Sequence, residues 1–160
     1  MAAIDYNVAA LEFASEEIKS DKEVVIAAVK LNADAFLLLS EELKADKEVV
    51  IEMLKHTRYG LSYGLYILSE EMKADKDVVI AAVKYEGSRL EDASEELKAD
   101  KEVVMAAFKS EENDVSLNWV SEELKADKEV VIAAVKTDDA NLEAASEELQ
   151  NDPEIKALLK

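Results

Sequence analysis

The block Ser121–Lys136, SEELKADKEVVIAAVK, constrains this chain more than any other feature, because near copies recur from end to end while the segments between them differ. Within one block, the polar trio Ala126-Asp127-Lys128 interrupts the apolar spacing that a single long helix needs between Leu124 and Val130-Val131. Two helices are therefore predicted. Asp127 can turn its carboxylate onto free amide hydrogens of the following turn, and Glu129 adds negative charge at the positive end of the helix dipole. The run from Val130 to Val135 is apolar on nearly every side, and Lys136 closes it at the negative end. It reads as a short helix buried between neighbours. Its β-branched residues also suit a strand, but the cap, the alanines and the Glu/Lys-rich flanks favour helix.

The other half of the unit runs up to Ser-Glu-Glu-Leu. There Leu90, Ala93 and Leu97 fall at i, i+3 and i+7 and make one apolar stripe. The serine either caps a one-turn helix or lies inside a helix begun earlier; the continuing stripe favours the second.

The capping aspartates are Asp21, Asp46, Asp75, Asp100, Asp127 and Asp152, and successive subtraction gives intervals of 25, 29, 25, 27 and 25 residues. One basic period thus carries two insertions. Units this short cannot bury their faces alone and must stack on each other. The expected fold is all-α: an α-solenoid of about six two-helix repeats, with approximate units 1–30, 31–55, 56–84, 85–109, 110–136 and 137–160. With no Pro- or Ser-rich linker, residues 1–160 read as one domain, and Gly60, Gly64 and Gly87 as isolated turn or helix-end residues. The first unit supplies Leu11, Ala14 and Ile18 as its stripe and a buried helix from Val24. The last ends in Asp152-Pro153-Glu154, a cap with proline at the first helical position. Both are end units, and polar residues such as Thr137-Asp138-Asp139 and Gln150-Asn151 suit a water-facing outer side.

Ala/Ser-Glu-Glu-Leu-Lys and Asp-Lys-Glu-Val-Val, joined by a short polar turn and a Leu-x-x-Ala helix, resemble the repeats classed as domain of unknown function 4116. The resemblance covers almost the whole chain and implies a short helical-hairpin repeat with no catalytic motif to carry over. The Asn-Gly turn usual after Val-Lys is altered in every unit, Asn32-Ala33 being the nearest remnant. The constant blocks also agree with one another more closely than drifting tandem repeats do, which points to an engineered, consensus-type repeat protein.

Composition removes several classes of function. A formal charge of −18 over 160 residues opposes binding to nucleic-acid phosphates or anionic membranes and favours a basic or apolar partner. No cysteine is present, so there is neither a disulfide framework nor a thiol nucleophile. The first residues, MAAIDYNVAALEFASEE, lack a basic leader and apolar core, and no apolar run reaches the length of a bilayer span, so a cytosolic protein is expected. His56 is the single histidine, and the carboxylate pairs repeat identically in the framework, as solvated faces do. Glu111-Glu112-Asn113-Asp114 and Asp138-Asp139 lack the spaced oxygens and glycine of a calcium loop. No enzyme, metal or cofactor is expected.

Chemistry concentrates instead in five variable segments, 31–39, 56–68, 85–93, 110–120 and 137–145. Tyr59, Tyr63, Tyr66, Tyr85 and Trp119 fall there with Arg58 and Arg89, the vocabulary of a binding surface. The alternative is that these aromatics fill core space made by the insertions. Leu37 occupies a column that holds Glu12, Tyr66, Glu91, Asn118 and Glu143 in other units, and so is expected to face outward, with Leu31 alongside it in an apolar patch. The expected function is binding of a protein or peptide through Leu31, Leu37, Arg58, Tyr59, Tyr63, Tyr66, Tyr85, Arg89 and Trp119. The rivals are a reshaped scaffold without a target, and a homodimer formed through Leu31–Leu39.

Overall fold

A computed structural model describes residues 11–56, 65–112 and 114–159. They divide into two compact units, Met1–Met72 and Lys73–Lys160. Within each unit, short helices pack neighbour to neighbour as an all-α repeat stack of the solenoid kind.

The repeats are built around capped helix starts. Asp127 Oδ1 accepts from the amides of Glu129 and Val130 at 3.0 and 3.2 Å, and Asp21, Asp46, Asp75, Asp100 and Asp152 do the same for their own helices. The helices after these caps include Lys22–Leu31 and Lys47–His56 in the first unit and Lys76–Val83, Lys101–Ala107 and Lys128–Thr137 in the second. Their valines form the core: Val25, Val49, Val50, Val78, Val79, Val103, Val104, Val130 and Val131 are all fully covered.

The tetrad serine corrects the expectation of one continuous preceding helix. Ser94 is extended (φ −61°, ψ 152°) after an equally extended Ala93 (ψ 159°), and its Oγ accepts from the amide of Leu97. Two extended residues in succession end a helix, so Ser94 opens a separate one-turn helix, Glu95–Lys98. Ser15, Ser40 and Ser121 do likewise. The stripe residues before them lie in 3₁₀ turns such as Ala33–Leu38, Gly87–Asp92 and Asp139–Ala144. Leu90 and Ala93 still bury, because a 3₁₀ turn eclipses i and i+3 onto one face.

Two kinds of bond tie one repeat to the next. In the second unit the amides of Ser94, Ser121 and Ser146 donate to the carbonyls of Lys73, Lys98 and Lys125, each at the end of the preceding one-turn helix, at 3.1, 3.2 and 2.9 Å. Four of the lysines that follow capping aspartates reach forward. Lys22 contacts Asp46 and Glu48 at 2.8 and 3.0 Å, Lys76 contacts Asp100 and Glu102 at 2.7 and 2.9 Å, Lys101 contacts Asp127 and Glu129 at 2.9 and 2.8 Å, and Lys128 contacts Asp152 and Glu154 at 2.9 and 2.7 Å. One aspartate therefore caps its own helix and receives the neighbour's lysine.

Ile51-Glu52-Met53-Leu54 departs from the usual Ile-Ala-Ala-Val by filling with Met53 and Leu54 the core positions that Ala82-Val83 and Ala134-Val135 hold in other repeats. Gly87 touches Val115, Ser110 and the Ala107 carbonyl so closely that a side chain there would collide. It serves as a point of close approach at the start of the 3₁₀ turn Gly87–Asp92.

Candidate binding surface

The variable segments emerge as the 3₁₀ turns and their flanks, and repeat register decides which side chains leave the core. Phe36 and Leu39 bury on the stripe, whereas Leu37 between them is 44% exposed. One repeat later Leu65 and Leu68 bury, and Tyr66 is 53% exposed. Glu91, Asn118 and Glu143 hold the same position in the second unit and are exposed as well. A 3₁₀ turn has three residues per revolution, so Phe36 and Leu39 share one face and Leu37, a third of a turn further on, lies off it. Leu37 and Tyr66, both in the first unit, are thus an apolar and an aromatic residue at a register position that is otherwise polar.

The other expected contact residues divide differently. Leu31 is 58% exposed but lines a shallow groove with Leu11, Ala14, Ile18, Val24, Ala27 and Ala28, a set separate from Leu37. Tyr85 and Trp119 are half-buried. Arg58, Tyr59 and Tyr63, with Gly60 and Gly64, lie outside the described residues.

Arg89 requires a correction: it is buried at 7% exposure, and its Nη2 lies 2.6 Å from Glu86 Oε2. The sequence places it in a variable segment, but the turn covers the guanidinium, and the partly exposed Glu86 carboxylate offsets the cost of burying that charge.

His56 is exposed, with Nε2 3.8 Å from Glu52 Oε2. Glu52 also meets Lys55 at 2.7 Å and Lys30 at 3.6 Å, and the Lys55 hydrogen bond, ahead of the opposing effect of burial, draws its carboxyl below the usual range. This is a cluster in which three basic side chains gather around one carboxylate. Among the described residues no group of three or more His, Cys, Asp or Glu side chains is placed to hold a metal ion, and no helix is long and apolar enough to cross a membrane.

Two features escaped the sequence. Asn141 is buried in the second unit and fully used: its Oδ1 accepts from the Leu117 amide at 2.7 Å, while Nδ2 donates to the carbonyls of Val115 and Ala134 at 3.2 and 3.1 Å. A lone Asn in a turn segment gives no sign that it clamps the insertion of the preceding repeat. The lysine-to-aspartate bridges were equally hidden, since their partners stand 24 to 26 residues apart.

Neither a curated protein nor a solved structure matches the chain. A family model does match, over residues 1–44, 46–98 and 75–125, and that model is described only as a domain of unknown function. Together the matches cover most of the chain, and the chain belongs to the DUF4116 family.

Proposed function

We propose that this helical-repeat protein binds a protein or peptide through its exposed 3₁₀ column, and that it catalyses no reaction. The observation that carries the proposal is the pair Leu37 and Tyr66, both about half exposed at a position where the other described repeats carry Glu12, Glu91, Asn118 and Glu143. Large apolar and aromatic side chains gain free energy when removed from water, and they are the usual anchors of an interface. The net charge of −18 favours a basic rim on the partner, in a cytosolic setting that the absence of cysteine also suits. The near-identity of the Ser-Glu-Glu-Leu and Asp-Lys-Glu-Val-Val blocks supports an engineered, consensus-type origin for the frame.

The test is selection of displayed random peptides on the immobilised full chain, followed by measurement of the enriched peptides on Leu37→Ser/Tyr66→Ser. Expected are peptides with basic residues flanking an apolar pair, weakened at least about tenfold by the double change at unaltered melting temperature. Failure to enrich any peptide, or equal binding by both proteins, would remove the proposal.

A second reading, a reshaped scaffold without a target, has its own support in buried Arg89 and half-buried Tyr85 and Trp119. It predicts that Trp119→Ser lowers stability and changes no binding.

A further inference from the structure

The lysines of the second unit fall into two groups. Lys76, Lys101 and Lys128, which open the long helices, are bridged to the aspartate and glutamate of the following repeat, and Lys98 and Lys125 lie against Glu95 and Glu122. Lys84, Lys109 and Lys136 stand at the other ends of the long helices. They are exposed, and their side chains have no ion pair or hydrogen bond among the described residues. The helix dipole accounts for a cation at each C-terminal end. It leaves the charge open to water.

These lysines edge a strip of half-buried apolar surface. Lys84 and Lys109 line one shallow hollow with Met105 and Ala106, and the two carboxylates that share it, Glu102 and Glu129, are already held by Lys76 and Lys101. On the long helices packed to either side, Ile80 and Ile132 repeat Met105, and Ala81 and Ala133 repeat Ala106. A hollow whose acids are paired and whose lysines are not is locally cationic, in a chain of net charge −18.

The first unit shows, within itself, what such a pair of lysines takes. Glu52 holds the register position of Ala81, Ala106 and Ala133, and its carboxylate meets Lys55 of its own helix at 2.7 Å and Lys30 of the preceding repeat at 3.6 Å. Alanine at that position in the second unit leaves the corresponding pairs, Lys84 with Lys109 and Lys109 with Lys136, without a carboxylate.

We infer that the strip from Lys84 to Lys136 is a docking surface for an acidic, extended segment of a partner protein. Its glutamates sit over Ala106 and Ala133 as Glu52 sits in its own repeat, and its apolar residues cover Met105 and Ile132. Neighbouring helices in a stack lie about 8–10 Å apart, and three residues of polyproline-II chain rise about 9 Å. The segment that fits therefore carries an acid at every third position with an apolar residue beside it. Net charge slows the approach of such a segment, and the local lysines hold it once it arrives. This surface lies in the second unit, shares no residue with the Leu37 and Tyr66 column, and stands whether or not that column binds a peptide.

The probe is a fluorescein-labelled peptide of four Pro-Glu-Val triplets, titrated with the full chain and read by fluorescence anisotropy beside the matching Pro-Gln-Val peptide. Expected is saturable binding of the glutamate peptide, at least about tenfold tighter than that of the glutamine peptide, and weakened at least about tenfold by K84Q/K109Q/K136Q at unchanged melting temperature. A106E/A133E supplies the carboxylates from within. It should fold as the wild type does, since Glu52 occupies the same position, and weaken the peptide to a similar degree. L37S/Y66S should leave the titration unchanged. The inference is overturned if the glutamate peptide does not bind, if the glutamine peptide binds equally, or if either the lysine variant or A106E/A133E binds as the wild type does. It is likewise overturned if L37S/Y66S removes the binding, since the peptide would then sit on the first unit. Should the lysine changes disturb the fold, A106E/A133E alone carries the comparison.

Discussion

Lys22–Lys30 and Lys128–Lys136 are the same nine residues, KEVVIAAVK, and they form helices with matching caps. Asp21 and Asp127 both accept from the second and third amides at 3.0 and 3.2 Å. The surroundings differ all the same. Val24 is 42% exposed and Val130 is fully covered. Local chemistry therefore settles that these residues are helical, and neighbours settle what the helix is worth to the fold. Stability in such a stack is a property of interfaces between repeats as much as of the repeats themselves.

The widest separation between the two helices is expected from a charge at the first valine. Val130→Asp buries a carboxylate without a partner and should cost more than about 4 kcal/mol in urea unfolding, while Val24→Asp should cost under about 1 kcal/mol. Similar losses at both positions would mean that Val24 is covered in solution.

The turns after the two helices differ as well. Ala35 is fully buried after the first, and Asn141 holds the matching place after the other. Asn141→Ala strands the Leu117 amide and two carbonyls, and should cost about 2–3 kcal/mol by the same assay. A neutral result would show that water replaces the clamp.

The lysines heading the two helices should instead behave alike, in a pH-dependent way. Lys128, through its hydrogen bond, holds the Asp152 carboxyl below its ordinary value of 3.8, and Lys22 does the same to Asp46. A lowered folded pKa contributes stability above the unfolded value, and that contribution is lost as pH falls through the folded one. Lys128→Met and Lys22→Met should therefore melt below wild type at neutral pH, with the gap closing as pH drops beneath the ordinary aspartate range. A gap independent of pH would assign the effect to the lysine stems.

The smallest effect belongs to Asp34, in register with exposed Ala140. Burial alone raises its carboxyl pKa, and its buried Oδ1 has no hydrogen-bond partner among the described residues. A raised folded pKa means stability present below the unfolded value and lost as pH rises through the folded one. Asp34→Asn should accordingly raise the melting temperature slightly near neutral pH and leave it unchanged in acid. Loss of stability at neutral pH would point to a favourable contact made by the ionised form.

Some parts of the molecule are written locally and others are not. The period, the aspartate caps, the valine core and the outward column containing Leu37 and Tyr66 follow from spacing and from residue type within a few positions. The serine start does not, because stripe residues keep their i, i+3 relation in a 3₁₀ turn as well as in an α-helix, and pattern alone cannot separate the two. Arg89 reads as a surface contact because arginine usually is one; its burial depends on Glu86 folding back to meet it. Polar outer sides are expected at both ends, yet Val24, Ile18 and Leu31 are exposed at the first, and only a neighbouring repeat determines whether such residues are covered.

The aspartate that serves two helices has a consequence for how this frame tolerates change. Lys22 and Asp46 are 24 residues apart, and Lys101 and Asp127 are 26 apart because extra residues intervene, yet the bridges measure 2.8 and 2.9 Å. The added length is taken up as slack in the turn, leaving the joint where it was. Connector length is thereby a free variable: turns can be lengthened or exchanged without changing the spacing of the helices that carry them, so recognition can diversify while the ruler stays fixed.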